Sequence, residues 1–109
     1  MSGVSNNAGF AGSGIYGVYT SNKAVTVTSP TFNAAVPEVR LRLWIRRGAD
    51  SFSEDPDTNE DLVLEYQRAD ATWAVLNTYL GSGTNGQVYN ASFILPADAR
   101  HANLAIRLR

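Results

Sequence analysis

Apolar and polar residues alternate with a period of two through most of this chain. No i, i+3, i+4, i+7 apolar pattern lasts long enough for a substantial helix, so the sequence reads as all-β. Val39 to Arg47 is the clearest strand. Val39, Leu41, Leu43 and Ile45 fall on one face, and Arg40, Arg42, Trp44 and Arg46 on the other. Leu62 to Gln67 alternates in the same way, with Leu62, Leu64 and Tyr66 against Val63, Glu65 and Gln67. Further strands are predicted over Ile15 to Thr20, Ala24 to Ser29, Thr72 to Tyr79, Val88 to Leu95 and Asn103 to Arg109. The first two are separated by Ser21-Asn22-Lys23, a length suited to a hairpin. Pro96 to His101 fits one helical turn with proline at its start. About seven strands at roughly ten-residue spacing predict an antiparallel β-sandwich of jelly-roll type.

The punctuation agrees. Pro30 and Pro37 bracket a connection in which Phe32 is expected to anchor the core, and Gly81 to Gly86 is a glycine-rich turn. Residues 1–14 are small and polar and are expected to be irregular, which leaves 15–109 as a single domain. Tyr66 and Trp73 are expected in the core, with Tyr16, Tyr19 and Tyr89 where they alternate inward.

At 109 residues the chain has room for one core. A formal net charge of −1 argues against a nucleic-acid binder. The absence of a ~20-residue apolar run argues against membrane insertion by a helix. There are no cysteines, and His101 is the one histidine, so neither a disulfide framework nor a thiolate or histidine-rich metal centre is available.

Charge is unevenly distributed. Eight of the nine cations are arginine, the residue suited to planar hydrogen bonding, and four of them lie between Arg40 and Arg47. Six of the ten carboxylates fall in the twelve residues from Asp50 to Asp61. Within that loop Asp55, Asp57 and Asn59 recur at alternate positions, followed by Glu60 and Asp61. This spacing can direct several hard oxygens at one point, as Ca²⁺ requires. The loop is not an EF-hand, since Glu60 stands where the sixth-position glycine belongs and Tyr66 at the twelfth. The alternative is a solvated loop whose acids offset the neighbouring arginines.

Arg40, Arg42, Trp44 and Arg46 share one strand face, and Arg107 and Arg109 can project likewise from the last strand. An indole flanked by guanidinium groups can stack on a sugar ring and hold a carboxylate or sulfate. The alternative is that Trp44 lies under a loop and the arginines pair with Glu38 and Glu65.

Catalysis has little support. Acids crowded into one loop lack the contrast of environments that a glycosidase pair needs. His101 sits on a turn, no serine occupies a G-x-S-x-G elbow, and no helix follows Gly81-Ser82-Gly83 to bind phosphate. Asn90-Ala91-Ser92 satisfies a glycosylation sequon.

Leu41-Arg42-Leu43-Trp44-Ile45-Arg46, an acidic loop, Glu60-Asp61-Leu62-Val63-Leu64-Glu65-Tyr66, and then Trp73 and Leu76 resemble the jelly-roll modules of large secreted or surface-attached bacterial proteins, related to MAM and reelin-type repeats. The resemblance runs from about Ala24 to Arg109. It implies a non-catalytic, lectin-like module outside the cell that binds a glycan or cell-surface polysaccharide, often with calcium. Where such modules commonly carry glycine before the tryptophan, this chain has Asp70-Ala71-Thr72. They also usually continue into one more strand, so the resemblance implies an open sheet edge available to a second copy or a partner chain. The competing expectation is accordingly a structural spacer or interaction module that works through that edge.

Overall fold

The computed structural model describes residues 3–5, 17–19, 25–48 and 56–109. They form an all-β fold of antiparallel strands: β1 Gly3–Ser5, β2 Gly17–Tyr19, β3 Val27–Thr28, β4 Arg40–Arg46, β5 Leu62–Gln67, β6 Trp73–Tyr79, β7 Val88–Ile94 and β8 Ile106–Leu108. The one helical element among these residues is a 3-10 turn at Ala97–Ala99, preceded by Pro96 as the sequence predicts. Four strands form a sheet in the order β3-β8-β5-β6, β4 pairs with β7, and β1 pairs with β2. The pairs β3–β8, β4–β7 and β5–β6 are therefore nested one inside another along the chain.

The two larger sheets share one core. Tyr66, Ala74 and Ile106 come from the four-stranded sheet and Leu41 and Phe93 from the β4–β7 pair. Ala34, Leu95, Ala99 and Leu104 come from the connections. Alternation explains the division: in β7 the burial switches residue by residue, with Tyr89, Ala91 and Phe93 inward and Val88, Asn90, Ser92 and Ile94 exposed. β5 departs from alternation, because Leu64, Glu65 and Tyr66 are all buried. The register against β6 slips between Leu64 and Glu65 and leaves Leu76 without an opposite residue, as at a β-bulge.

Three expectations change. Among the described residues, 17–19 and 25–29 do not pair as the expected hairpin. β2 pairs instead with β1, inside the stretch expected to be irregular, and β3 pairs with β8. Pairing Val27 with Leu108 lets β3 extend a sheet that already has a core face. Phe32 is 43 % exposed and does not anchor the core; its backbone N–H and C=O bond both ways with Leu104, which is itself fully buried. Trp73 lies on the face of β6 away from the core, because its partner Gln67 and Glu65, two residues before it, project outward from β5.

Candidate functional site

β4 and β7 pair over seven residues without a register shift, and this fixes the neighbours of the arginine-rich face. Arg40 stands opposite Ile94, Arg42 opposite Ser92, Trp44 opposite Asn90 and Arg46 opposite Val88. Residues directly opposite share a face, so the four predicted ligand-binding side chains lie in one row beside a second row of two small polar and two apolar residues. Arg40 and Arg42 are exposed; Trp44 and Arg46 are half-buried. Arg42, Trp44, Asn90 and Ser92 line a shallow depression of about 330 Å³ with Leu43 and Ala91. Among the described residues, no carboxylate or histidine lines it.

The expected pairing with Glu38 and Glu65 is divided between two places. Arg40 lies 3.7 Å from Glu38, both largely exposed. Glu65 is engaged instead by Arg107 and Arg109 on the four-stranded sheet. The Arg107 hydrogen bond holds the Glu65 carboxyl below its ordinary range against the opposing effect of burial, with the charges of Arg107 and Arg109 assisting.

In the acidic loop, Asp57 to Glu60 forms a tight turn. The Glu60 N–H donates to the Asp57 carbonyl at 3.0 Å, and a Glu60 carboxylate oxygen accepts the Asp57 N–H at 2.8 Å. Asn59 has φ of 74°, the left-handed region that asparagine tolerates well. Asp61 Oδ1 accepts the Gly81 N–H at 2.8 Å. The turn is packed closely against Gly81, where an added Cβ would lie 2.2 Å from the Asp57 carbonyl oxygen. Asp55 lies outside the described residues, and among those described no three acidic or histidine side chains converge on one point. Glu60 and Asp61 each have one carboxylate oxygen that accepts a backbone N–H.

Sequence reasoning passed over Arg47, because it ends the alternating run. It is 7 % exposed, and its two terminal nitrogens donate to the carbonyls of Leu80 and Gly81. Gly83 packs against the same guanidinium. Arg47 thus fastens the end of β4 to the β6–β7 connection and steadies the strand that carries Trp44. The placement of an arginine directly after Arg46, where an inward residue was due, is the signal that could have found it.

Two other polar clusters are structural. Asp98 accepts from the Tyr66 hydroxyl at 2.8 Å and from Arg68 at 2.9 Å, and these bonds, the Tyr66 one foremost, lower its pKa. His101 Nδ1 accepts the Asn103 N–H, which leaves Nε2 to donate to the Gln67 carbonyl at 2.8 Å. Both of its nitrogens are therefore used in joining the end of β5 to the turn before β8. No family model, curated protein or solved structure matches this chain.

Proposed function

We propose that this chain is a non-catalytic, extracellular glycan-binding or adhesive module with a jelly-roll fold. One observation carries the reading: the outer face of β4–β7 sets a half-buried indole beside an asparagine and an exposed arginine beside a serine, around a shallow depression. A sugar ring can stack on Trp44. Asn90 and Ser92 can then bond its hydroxyls, while Arg42, with Arg40 and Arg46 along the row, supplies planar forks for a uronate or sulfate. The described lining residues, arginine, tryptophan, asparagine and serine among them, are groups suited to stacking and hydrogen bonding. The nested pairing β3–β8, β4–β7 and β5–β6 supports the jelly-roll assignment, since that fold is a long hairpin wound so that successive pairs alternate between two sheets.

Calcium is a separable part of the proposal. Its support is the crowding of side-chain oxygens at Asp55, Asp57, Asn59, Glu60 and Asp61, where Asp55 would add to oxygens that Glu60 and Asp61 leave unused.

The test is an immobilised panel of neutral and acidic glycans probed with the wild type and with Trp44→Ala, folding being followed by circular dichroism. A saturable glycan signal that Trp44→Ala loses at unchanged fold is expected. Equal binding by both proteins, or no binding to any sugar, would sink the reading.

A further inference from the structure

We infer that β7 is a self-association edge, through which two copies of this chain join their β4–β7 sheets into one antiparallel four-stranded sheet. The inference begins with the direction of the β7 backbone groups. The Leu95 N–H donates to Val39 and the Arg47 N–H to Gln87, so the odd-numbered residues of β7 bond to β4. The N–H and C=O groups of Val88, Asn90, Ser92 and Ile94 point the other way, and among the described residues nothing pairs with them.

Sheet edges of this kind are normally guarded by charge, proline, a bulge or shortness. The edges at β3, β6 and β4 are guarded. β3 has two residues, β6 carries the bulge at Leu76, and β4 carries three arginines, so that a β4–β4 pairing of the same kind would set Arg40 against Arg46 of the second copy. β7, with the sequence Val-Tyr-Asn-Ala-Ser-Phe-Ile, has no charge, no proline and no glycine. It runs seven residues without a register shift, and a groove of about 430 Å³ lies along it.

The self-complementary register is unique in its matches. A two-fold axis at Ala91 places Val88 opposite Ile94 of the second copy and Asn90 opposite Ser92, in hydrogen-bonded pairs, with Tyr89 opposite Phe93 on the inner face. Val88 and Ile94 are 42 % and 60 % exposed in the single chain, an exposure the pairing would reduce, and the Asn90–Ser92 pairs can hydrogen-bond across the seam. The two-fold arrangement is closed: it uses up the unguarded edge and leaves the arginine-bearing β4 strands outermost, which opposes further growth. On the ligand reading above, the two depressions would join into one strip, but the pairing itself does not depend on any glycan.

Sedimentation equilibrium of the full chain from about 1 µM to about 1 mM, the span of weak association, tests the inference. The mass should rise from 11.8 kDa toward twice that value. Val88→Lys with Ile94→Lys, which sets lysine against lysine, should weaken association on the order of a hundredfold. Val75→Lys with Leu80→Lys, two apolar residues exposed elsewhere, should leave it unchanged. In this cysteine-free chain Ala91→Cys should oxidise to an intermolecular disulfide, because the register brings that position onto itself at a spacing a disulfide spans. A wild type that stays monomeric throughout overturns the inference. So does association that survives the β7 lysines, or an Ala91→Cys protein that stays a thiol. Should the β7 lysine variant fail to fold, the cysteine result decides.

Discussion

The guanidinium carbon of Arg107 lies 4.1 Å from the centroid of the Trp73 ring, while its Nε donates to Glu65. Tryptophan, arginine and glutamate thus stack on the outer face of the four-stranded sheet, with Arg109 adding a second bond to Glu65 at 3.2 Å. Glu65 is 4 % exposed and is tolerated there because both arginines reach it. Its carboxyl is held below the ordinary value of 4.5, first by the Arg107 hydrogen bond. The group is therefore charged in both folded and unfolded chains above that value, and its stabilisation is fully present there. The contribution is lost as the pH falls below 4.5 and through the folded pKa, where folding must release a proton that the unfolded chain retains. The wild type should lose melting temperature between about pH 5 and about pH 2 more steeply than Glu65→Gln. At neutral pH the variant should be less stable by about 1–2 kcal/mol, between the figures for exposed and buried pairs because both arginines are partly exposed. Parallel pH curves would contradict the account.

Ala71 has φ of 68° and closes the β5–β6 turn, in which the Arg68 N–H donates to the Thr72 carbonyl at 2.7 Å and the Ala71 N–H to the Arg68 carbonyl at 3.0 Å. A residue with a Cβ is strained there by about 1–2 kcal/mol. Glycine removes the strain at an entropic cost of about 0.4–1 kcal/mol. Ala71→Gly should therefore stabilise by about 0.5–1 kcal/mol and raise the melting temperature by a few degrees, while Ala71→Val should lower it. A drop in melting temperature for the glycine variant would show that the turn is held by something other than its backbone.

Arg47 gives a prediction on the scale of the core. Arg47→Met keeps the apolar stem but strands the Leu80 and Gly81 carbonyls, and should cost about 2–3 kcal/mol in urea denaturation. Arg47→Lys should recover only part of that, because one ammonium lacks the fork that reaches both carbonyls. A loss under about 0.5 kcal/mol for the methionine variant would mean the guanidinium is not a fastener.

Much of this was legible in the alternation. The boundaries of β4 to β8 lie within a few residues of the periodic runs, and Arg40, Arg42, Trp44 and Arg46 share the face that the period assigned them. Pairing partners were less legible, because strand sequences encode faces more strongly than neighbours. β2 and β3 look like a hairpin by loop length alone, yet β3 gains more from β8, where Val27 meets Leu108. Trp73 was misread because an aromatic in a strand usually faces the core, whereas here the outer face already holds a buried Glu65 and a cation to stack on the ring. The partners of Asn90 and Ser92 could not be read at all, since only the β4–β7 register brings them beside Arg42 and Trp44.

Asn59 separates the two accounts of the acidic loop. As a calcium ligand it is needed for its side-chain oxygen; as a turn residue it is needed for its φ of 74°. Asn59→Gly keeps the second property and removes the first. In chelator the variant should melt within about 0.5 kcal/mol of the wild type, because glycine adopts this backbone without strain and the bonds between Asp57 and Glu60 do not involve residue 59. Gly81→Ala should be strongly destabilising under the same conditions, since its Cβ would press on the Asp57 carbonyl from 2.2 Å. Calcium is then titrated into all three proteins. The calcium proposal requires a saturable rise in the wild-type melting temperature, worth about 2.7 kcal/mol at a hundred times the dissociation constant, and a weaker response from Asn59→Gly. Identical, flat responses would leave the loop as a turn that locks onto Gly81 and would remove the metal from the proposal, with the Trp44 face untouched by that result.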